Sequence, residues 1–304
     1  MIINDSKTFN DAVEIYNKID YRSKGTTKKI YHYTSPEALK SIVMNSCLYA
    51  TNNAYLNDKT EGWHVFDVLL TNVNDFFGTN TKIETSIKSE IDNMIKKTDD
   101  PGWFDSFVIS FSLNRDSLGM WNYYTKGNDL LGYNIEFDIS KLKKSIVLVN
   151  PDDNSQEYKG LKAKDGKVIY KLAEQKKLIY ETVKQFDSVN AKYKPYLIVR
   201  KLWELGRFLK KPCFEHENEY RFLFSFIHDS KGNLSPAKDE YRTKKGLLIP
   251  YQKAAFKKDS ITGITCSPSL EARRAKMGVE CLFRSYQYED ILDNIVMSDI
   301  PVRY

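Results

Sequence analysis

The sequence lacks the long apolar runs that carry a chain across a membrane. No stretch approaches the roughly 18–20 apolar residues that a transmembrane helix needs, and the mean hydropathy is −0.51. The opening residues, MIINDSKTFNDAVEIYNKID, have neither the basic start nor the apolar centre of a secretion signal. We therefore expect a cytoplasmic protein with no membrane association.

Cysteine is scarce and scattered. The four cysteines, at positions 47, 213, 266 and 281, form no CxxC pair. With no such pair, buried reduced thiols are the expected state, in preference to disulfide or zinc roles.

Several catalytic and binding motifs are also missing. There is no GxGxxG and no GxxxxGK[ST], which excludes the usual dinucleotide and P-loop signatures, and there is no HExxH. No internal repeat is visible, so a solenoid or propeller is not expected.

What is present is a globular composition with unusual aromatic content. The 304 residues are 41% apolar and 28% charged, which suits a chain that can bury a core. Tyrosine occurs 20 times and phenylalanine 16 times. These rings suit stacking on planar ligands, and they suit an aromatic-rich core equally well.

The positive charge is concentrated in the middle of the chain. The whole sequence has a net charge of +6, whereas residues 141–211 alone carry 18 Lys and Arg against 8 Asp and Glu. A basic segment on a nearly neutral body indicates a polyanionic partner, with nucleic acid first. Lys-rich helix faces that are merely solvated remain the alternative.

The order of elements predicts an α+β fold. Strands are expected at residues 29–33, 107–112, 132–139, 145–149, 220–227, 246–250, 261–266 and 294–297, from β-prone or alternating apolar runs. Helical spacing of apolar residues marks the segments between them, and Ser35-Pro36 has the form of a helix start. We expect a single domain over residues 1–304, interrupted by a basic helical insertion at residues 150–211.

Four polar or aromatic motifs interrupt these elements. They are Tyr-His-Tyr-Thr-Ser at 31–35, Leu-Asn-Asp-Lys-Thr-Glu at 56–61, Met-Trp-Asn-Tyr-Tyr at 120–124 and Phe-Glu-His-Glu-Asn-Glu-Tyr-Arg at 214–221. Together with a closing Ser-x-Ile-Pro-x-Arg at 298–303, their order resembles a large family of bacterial domains of unknown function. The resemblance spans residues 29 to 304.

That family is in turn similar to the ADP-ribosyltransferase fold of the His-Tyr-Glu type, a split mixed β-sheet flanked by helices. The resemblance implies NAD as the cofactor and assigns catalytic roles to His32, Glu217 and Glu219. It places the aromatic position at Tyr123 or Tyr124. With His32, the residues expected to line the NAD site are these: Tyr33, Thr34, Ser110, Trp121, Tyr123 and Tyr124.

The chemistry of these residue types is suited to that reaction. Cleavage of the bond between nicotinamide and ribose places positive charge on the sugar, and a carboxylate facing that charge stabilises the transition state. Glu219 is expected in this role. If residues 217 and 219 alternate on a strand, both carboxylates share a face, and Glu217 is then able to orient or deprotonate the acceptor. A neutral His32 suits a ribose hydroxyl.

Each motif also has a purely structural interpretation. Asn57-Asp58 has the form of a turn and helix cap. His32 is equally explained as a hydrogen-bonded strand residue, and the aromatic motif as core packing. The acids at 215, 217 and 219 are alternatively ion partners of Arg221, Lys210 and Lys211.

Three functions therefore remain open on sequence grounds. The first is transfer of ADP-ribose to a macromolecule, preferably RNA or DNA, by a bacterial toxin with an antitoxin partner or by an anti-phage defence effector. The second is a metal-dependent hydrolase or nuclease, for which two groups offer ligands: Glu61 with His64, and His216 with Glu217 and Glu219. The third is a non-catalytic module that binds nucleic acid.

Overall fold

The computed structural model describes residues 14, 28–58, 60–78, 81–98, 106–125, 130–150, 153–157, 163–226, 239–244 and 246–302. The chain divides into two compact units. A sheet unit comprises Lys24–Tyr55, Asp105–Gly166 and His216–Tyr304, and a helical unit includes Leu56–Phe104 and Lys167–Glu215.

The strands follow the alternating apolar runs of the sequence. In chain order they are β1 Lys29–Thr34, β2 Cys47–Asn52, β3 Ser106–Ser112, β4 Tyr133–Asp138, β5 Val147–Asn150, β6 Asp153–Glu157, β7 Lys164–Lys167, β8 Glu219–Ser225, β9 Glu240–Lys244, β10 Leu247–Ala255, β11 Ile261–Cys266 and β12 Ile295–Met297. Strands β2, β6, β7 and β9 were not expected from the sequence. Strands β6, β7 and β9 are short or polar, so their alternation is weak, whereas β2 is a six-residue strand that is buried on both faces and therefore does not alternate.

The sheet is mixed and non-local. Its main order is β12-β11-β4-β1-β3-β2-β10-β5-β6, with β8 paired to β3 and β7, and β9 paired to β10. Only β11 and β12 run parallel among the registers of the described strands, and the rest are antiparallel. Strands far apart in the chain thus pair around a common core, which confirms the expected α+β class.

One face of this sheet carries the main core. Helix α1 (Pro36–Asn45) contributes Leu39, Ile42 and Val43 to it. Helices α6 (Ile139–Ser145) and α9 (Ala272–Ser285) add further apolar side chains. Because aliphatic and aromatic residues alternate with polar ones along the central strands, the opposite face is left with polar side chains.

Strand β3 is where the sheet splits. One edge of β3 pairs with β8 along its full length, from Ser106 opposite Ser225 to Ser112 opposite Glu219. The other edge pairs with β1 only at Ser112 and with β2 only at Phe107 and Val108. Strands β1 and β2 therefore diverge beside residues 109–111, and we call this divergence the split.

Helix α1 connects the two diverging strands, and its start is set locally. Ser35 has extended backbone angles, and its hydroxyl accepts a hydrogen bond of 3.3 Å from the Ala38 amide. Pro36 follows as the first helical residue, where its missing amide hydrogen costs nothing. The predicted helix start is confirmed.

The helical unit has its own core. Its helices are α2 His64–Thr71, α3 Val73–Phe77, α4 Thr81–Thr98, α7 Leu172–Lys184 and α8 Lys194–Gly206, and the sheet unit adds α5, Leu118–Tyr124. The helical core includes Val65, Leu69, Ile87, Ile179 and Ile198. Helices α7 and α8, which belong to the expected basic insertion at 150–211, pack on α2 and α4 within this unit.

The Asn-Asp motif lies in this helical unit and forms a turn. The Asp58 carboxylate accepts hydrogen bonds from the Thr60 amide at 2.8 Å and the Thr60 hydroxyl at 2.7 Å. Gly62 has φ +78, and a Cβ there would lie 1.7 Å from the Arg207 guanidinium. The turn therefore needs glycine both for its backbone and for the approach of Arg207.

Candidate functional site

The strand registers define a polar face on the sheet unit. Residues directly opposite each other in antiparallel strands point to the same face. Tyr31 lies opposite Ser112, and Ser112 lies opposite Glu219. By the same registers the polar face carries these residues: Tyr31, Tyr33, Tyr49, Thr51, Ser110, Ser112, Asn134, Glu136, Glu219, Arg221, Arg242 and Tyr251.

The two acids of the Glu-x-Glu motif reach this site by different backbone routes. Glu217 ends a 3₁₀ turn, Pro212–Glu217, and Glu219 is the first residue of β8. Asn218 between them has φ +43, in the left-handed region. The two residues therefore do not alternate along one strand, and the expected reason for their sharing a face was wrong.

Glu217 is held from both its side chain and its backbone. Its carboxylate accepts a 3.0 Å hydrogen bond from the Tyr124 hydroxyl. Its carbonyl oxygen accepts one of 2.9 Å from the Ser112 hydroxyl. Glu217 is only 4% exposed, so these contacts fix the carboxylate in a region where unsatisfied polar groups are costly.

Glu219 forms an ion pair with Arg221. Both the Nε and the Nη2 of Arg221 donate to Oε2 of Glu219, and the Nε bond measures 3.1 Å. The two side chains are 4% and 1% exposed. The structural alternative for this acid therefore holds at least in part.

Tyr124 lies close to both acids. Burial, followed by the charges of Glu217 and Glu219, raises its pKa. The phenol is therefore protonated at neutral pH and acts as a hydrogen-bond donor. The cluster thus contains two buried carboxylates, a neutral phenol and a guanidinium. Carboxylates are able to stabilise a developing positive charge and to accept a proton.

His32 belongs to the other face of β1, at the split. It lies opposite Ile135 in β4, and its ring meets Phe111 edge-on at 5.6 Å. Its Nδ1 is 3.2 Å from the Ser110 carbonyl oxygen. That part of β3 pairs with neither β1 nor β2, so the side chain satisfies a carbonyl that the sheet leaves open.

The protonation state of His32 follows from these contacts. Burial lowers its pKa to about 4, with a further lowering from the Arg242 charge, so the ring is neutral at physiological pH. A carbonyl oxygen only accepts hydrogen bonds, so Nδ1 carries the proton and Nε2 keeps its lone pair. Nε2 is therefore an acceptor suited to a hydroxyl group.

The other predicted site residues fall into two groups. Tyr33 and Trp121 are buried and pack together with ring centroids 4.7 Å apart. Thr34, which follows Tyr33 in the chain, is also buried. With no accessible surface, Trp121 has a packing role, contrary to its expected contact with a cofactor. Tyr123 is 66% exposed and lies 5.6 Å from the His216 ring, so its face is open to a planar ligand.

Asp116 organises this region, although it lies in none of the sequence motifs. It accepts hydrogen bonds from Trp121 Nε1 at 2.7 Å, from the Ser298 hydroxyl at 2.8 Å and from the Asp299 amide at 2.8 Å. These hydrogen bonds hold the start of the closing motif, at residues 298 and 299, against the loop before α5. The only signal in the sequence was the polar Ser298, whose partner is 182 residues away.

The metal alternative has little structural support. Within the residues that the structure describes, no three His, Cys, Asp or Glu side chains are grouped so that they could hold a metal ion. His64, one of its expected ligands, has Nε2 3.0 Å from the Gln175 amide oxygen instead.

Several lysines of the basic middle segment form ion pairs. Lys176 pairs with Asp75, Lys177 with Glu181 and Lys194 with Asp187, at 4.0, 3.9 and 2.9 Å. Two aromatic–basic pairs lie on exposed parts of α7 and α8. Lys184 lies 4.7 Å from the Tyr180 ring, and Arg200 lies 5.8 Å from the Tyr196 ring. Tyrosine and basic residues in such pairs suit stacked bases and phosphates.

No described helix is long and apolar enough to cross a lipid bilayer.

Comparison with known proteins gives limited relationships. A family model described as "Protein of unknown function (DUF2971)" matches residues 120–222. This span begins at the Met-Trp motif and ends one residue after Arg221, so it contains two of the five motifs. No curated protein sequence matches the chain. DarT of Thermus sp. 2.9, solved in complex with ADP-ribosylated ssDNA, is similar at 12% identity and a TM-score of 0.31, over 91% of this chain and 96% of that one.

Proposed function

We propose that the protein is an ADP-ribosyltransferase that cleaves the bond between nicotinamide and ribose in NAD and transfers ADP-ribose to a macromolecule. The observation that carries this proposal is the buried group of Glu217, Glu219 and Tyr124 on the polar face of a split sheet. Two buried carboxylates near one neutral phenol are costly to maintain for stability alone.

In the proposed reaction Glu219 stabilises the charge on the sugar. The bond between C1′ and the nicotinamide nitrogen breaks, its electron pair leaves with nicotinamide, and positive charge develops on the ribose. The carboxylate of Glu219 faces that charge, while Arg221 holds Oε2 and fixes the orientation of the group. The effect is greatest in the transition state, where the charge is greatest.

In the proposed reaction Glu217 acts as the general base for the acceptor. The acceptor oxygen or nitrogen forms the new bond to C1′, and its proton passes to the Glu217 carboxylate. Tyr124 donates to this carboxylate and positions it. His32 accepts a hydrogen bond from a ribose hydroxyl through Nε2, and the exposed Tyr123 ring stacks on the nicotinamide.

The acceptor that we propose is RNA or DNA. The exposed Tyr180–Lys184 and Tyr196–Arg200 pairs support it, because bases stack on tyrosine and phosphates attract the neighbouring cations. As a biological setting we propose a toxin paired with an antitoxin protein or an effector of anti-phage defence.

The substitution Glu219→Gln tests the catalytic part. It retains shape and hydrogen bonding but removes the charge, so release of nicotinamide from NAD should fall by at least about a hundredfold. Glu217→Gln should abolish transfer while slow hydrolysis of NAD to free ADP-ribose continues. Glu289→Gln, an exposed acid of the same unit, is the matched control.

A structural role for Glu219 makes a different prediction. The same substitution would then lower the melting temperature through loss of the Arg221 pair and leave activity per folded molecule intact. That result would overturn the assignment. Binding of nucleic acid without any turnover of NAD would favour a non-catalytic binding module.

A further inference from the structure

Arg242 lies on the polar face and reaches across a neighbouring strand. It lies opposite Ile249 in β10, and Tyr251 of β10 lies opposite Thr51 in β2, so these residues share one face. The Arg242 Nη2 donates to the Thr51 hydroxyl at 2.7 Å. The guanidinium therefore extends from β9 over β10 to β2, beside the split.

Among the described residues, no carboxylate balances the charge of Arg242. Of the residues that the structure describes, none forms an ion pair with Arg242, and its Nε is buried with no hydrogen-bond partner. The fully buried guanidinium of this face, Arg221, is paired with Glu219. Arg242 is half-buried, and a partly desolvated guanidinium without a carboxylate partner is an unfavourable state that a bound anion relieves.

The surroundings of Arg242 include an aromatic surface. Tyr49 and Tyr251 stack with ring centroids 4.1 Å apart and an interplanar angle of 23°. Burial lowers the pKa of Arg242, and the two tyrosines offset part of this effect. The Thr51 hydroxyl fixes one side of the guanidinium fork, which leaves Nε directed elsewhere. Such a fork matches the geometry of phosphate oxygens.

The charge of Arg242 also acts on His32, which lies on the other face of β1. It contributes to the lowered pKa of that histidine, so the field of the guanidinium reaches the split.

We propose that Arg242, together with Thr51, binds the diphosphate of a dinucleotide or of ADP-ribose on the polar face. This assignment rests on the proposed NAD chemistry for the identity of the ligand, while the anion site itself rests on Arg242 alone. Arg242 is a binding residue, and the bond-breaking group remains the cluster around Glu219.

The test is calorimetric titration with inorganic pyrophosphate and with ADP-ribose on wild-type protein, Arg242→Gln and Arg242→Lys. Arg242→Gln should lower the affinity for both ligands by at least about tenfold, the scale of losing a hydrogen bond to a charged group. Arg242→Lys should retain part of the affinity because it keeps the charge but loses the fork. Arg273→Gln, on the exposed surface of α9, should bind as wild type does.

The melting temperature without ligand separates binding from structure. Removing a half-buried charge that has no carboxylate partner should leave the melting temperature of Arg242→Gln unchanged or raised, whereas a structural role would lower it. Wild-type protein that fails to bind pyrophosphate, or Arg242→Gln that binds it normally, would overturn the proposal. Pyrophosphate binding that depends on Arg242, without NAD cleavage, would retain the anion site and overturn the transferase. If Arg242→Gln cleaves NAD and binds pyrophosphate as wild type does, the transferase would be retained and the anion site overturned.

Discussion

Tyr124 donates its hydroxyl hydrogen to the Glu217 carboxylate at 3.0 Å, which joins α5 to the turn that leads into β8. The two residues are 93 positions apart in the chain. This bond brings the aromatic motif and the acidic motif into one site, and the raised pKa of the phenol keeps it a donor at neutral pH.

Removal of that hydroxyl should cost stability. In Tyr124→Phe the buried Glu217 carboxylate loses a donor, and a hydrogen bond to a charged group contributes roughly 1.5–3 kcal/mol to the free energy of unfolding. Urea denaturation measures the difference. Tyr123→Phe is the control, since that ring is 66% exposed, and it should unfold as wild type does. Equal unfolding curves for the two variants would contradict this role of Tyr124.

The histidine at the split should make stability depend on pH. Folding lowers the pKa of His32 from 6.5 to about 4. Between these values the unfolded chain binds more protons than the folded one. The contribution of His32 is therefore complete above pH 6.5 and declines as the pH falls towards 4, by on the order of 2–3 kcal/mol.

Denaturation at several pH values between 7.5 and 4 measures this contribution as the difference between wild type and His32→Gln. Glutamine is still able to donate to the Ser110 carbonyl but does not titrate. The difference should shrink as the pH falls, and exposed His216→Gln should follow the wild-type curve. A difference that is constant across the range would show that His32 is not buried in the neutral form.

Asp116 should hold the closing motif in place. Asp116→Asn keeps the size of the side chain but replaces one acceptor oxygen by a donor, so the bonds from Trp121, Ser298 and Asp299 cannot all be retained. Hydrogen exchange at the Asp299 amide should accelerate, and the protein should lose about 1–3 kcal/mol of stability. Asp290→Asn, an exposed site, serves as the control. Unchanged exchange at Asp299 would remove Asp116 from this role.

Nucleic acid binding, if it uses α7 and α8, should depend steeply on salt. Lys184→Glu with Arg200→Glu should weaken binding to single-stranded RNA or DNA and reduce the slope of log affinity against log salt by about one per lost phosphate contact. Fluorescence anisotropy at several salt concentrations measures both effects. Lys257→Glu, an exposed charge of the sheet unit, should cause little change. Identical slopes for all variants would exclude this surface.

Local sequence determined most of the elements and one helix start. The runs at β1, β3, β4, β8 and β11 alternate strongly enough to specify strands within a residue or two. Ser35 and Pro36 specify the start of α1 because capping depends on neighbours only three residues apart. The sequence also predicted site residues in the motifs that contain Tyr124, Glu217 and Glu219, because clustered acids and aromatics at the ends of elements are unusual.

The tertiary structure decided which of those side chains meet. A strand register is a long-range property, so only the pairing of Tyr31 with Ser112 and of Ser112 with Glu219 shows that His32 lies on the opposite face. The positive φ of Asn218 removed the simple alternation expected for the two acids. No sequence motif marked Arg242, because its position beside the split depends on the pairing of β9 with β10 and on the long-range pairing of β10 with β2. Local patterns encode elements, whereas the site is made by contacts whose partners are far apart in sequence.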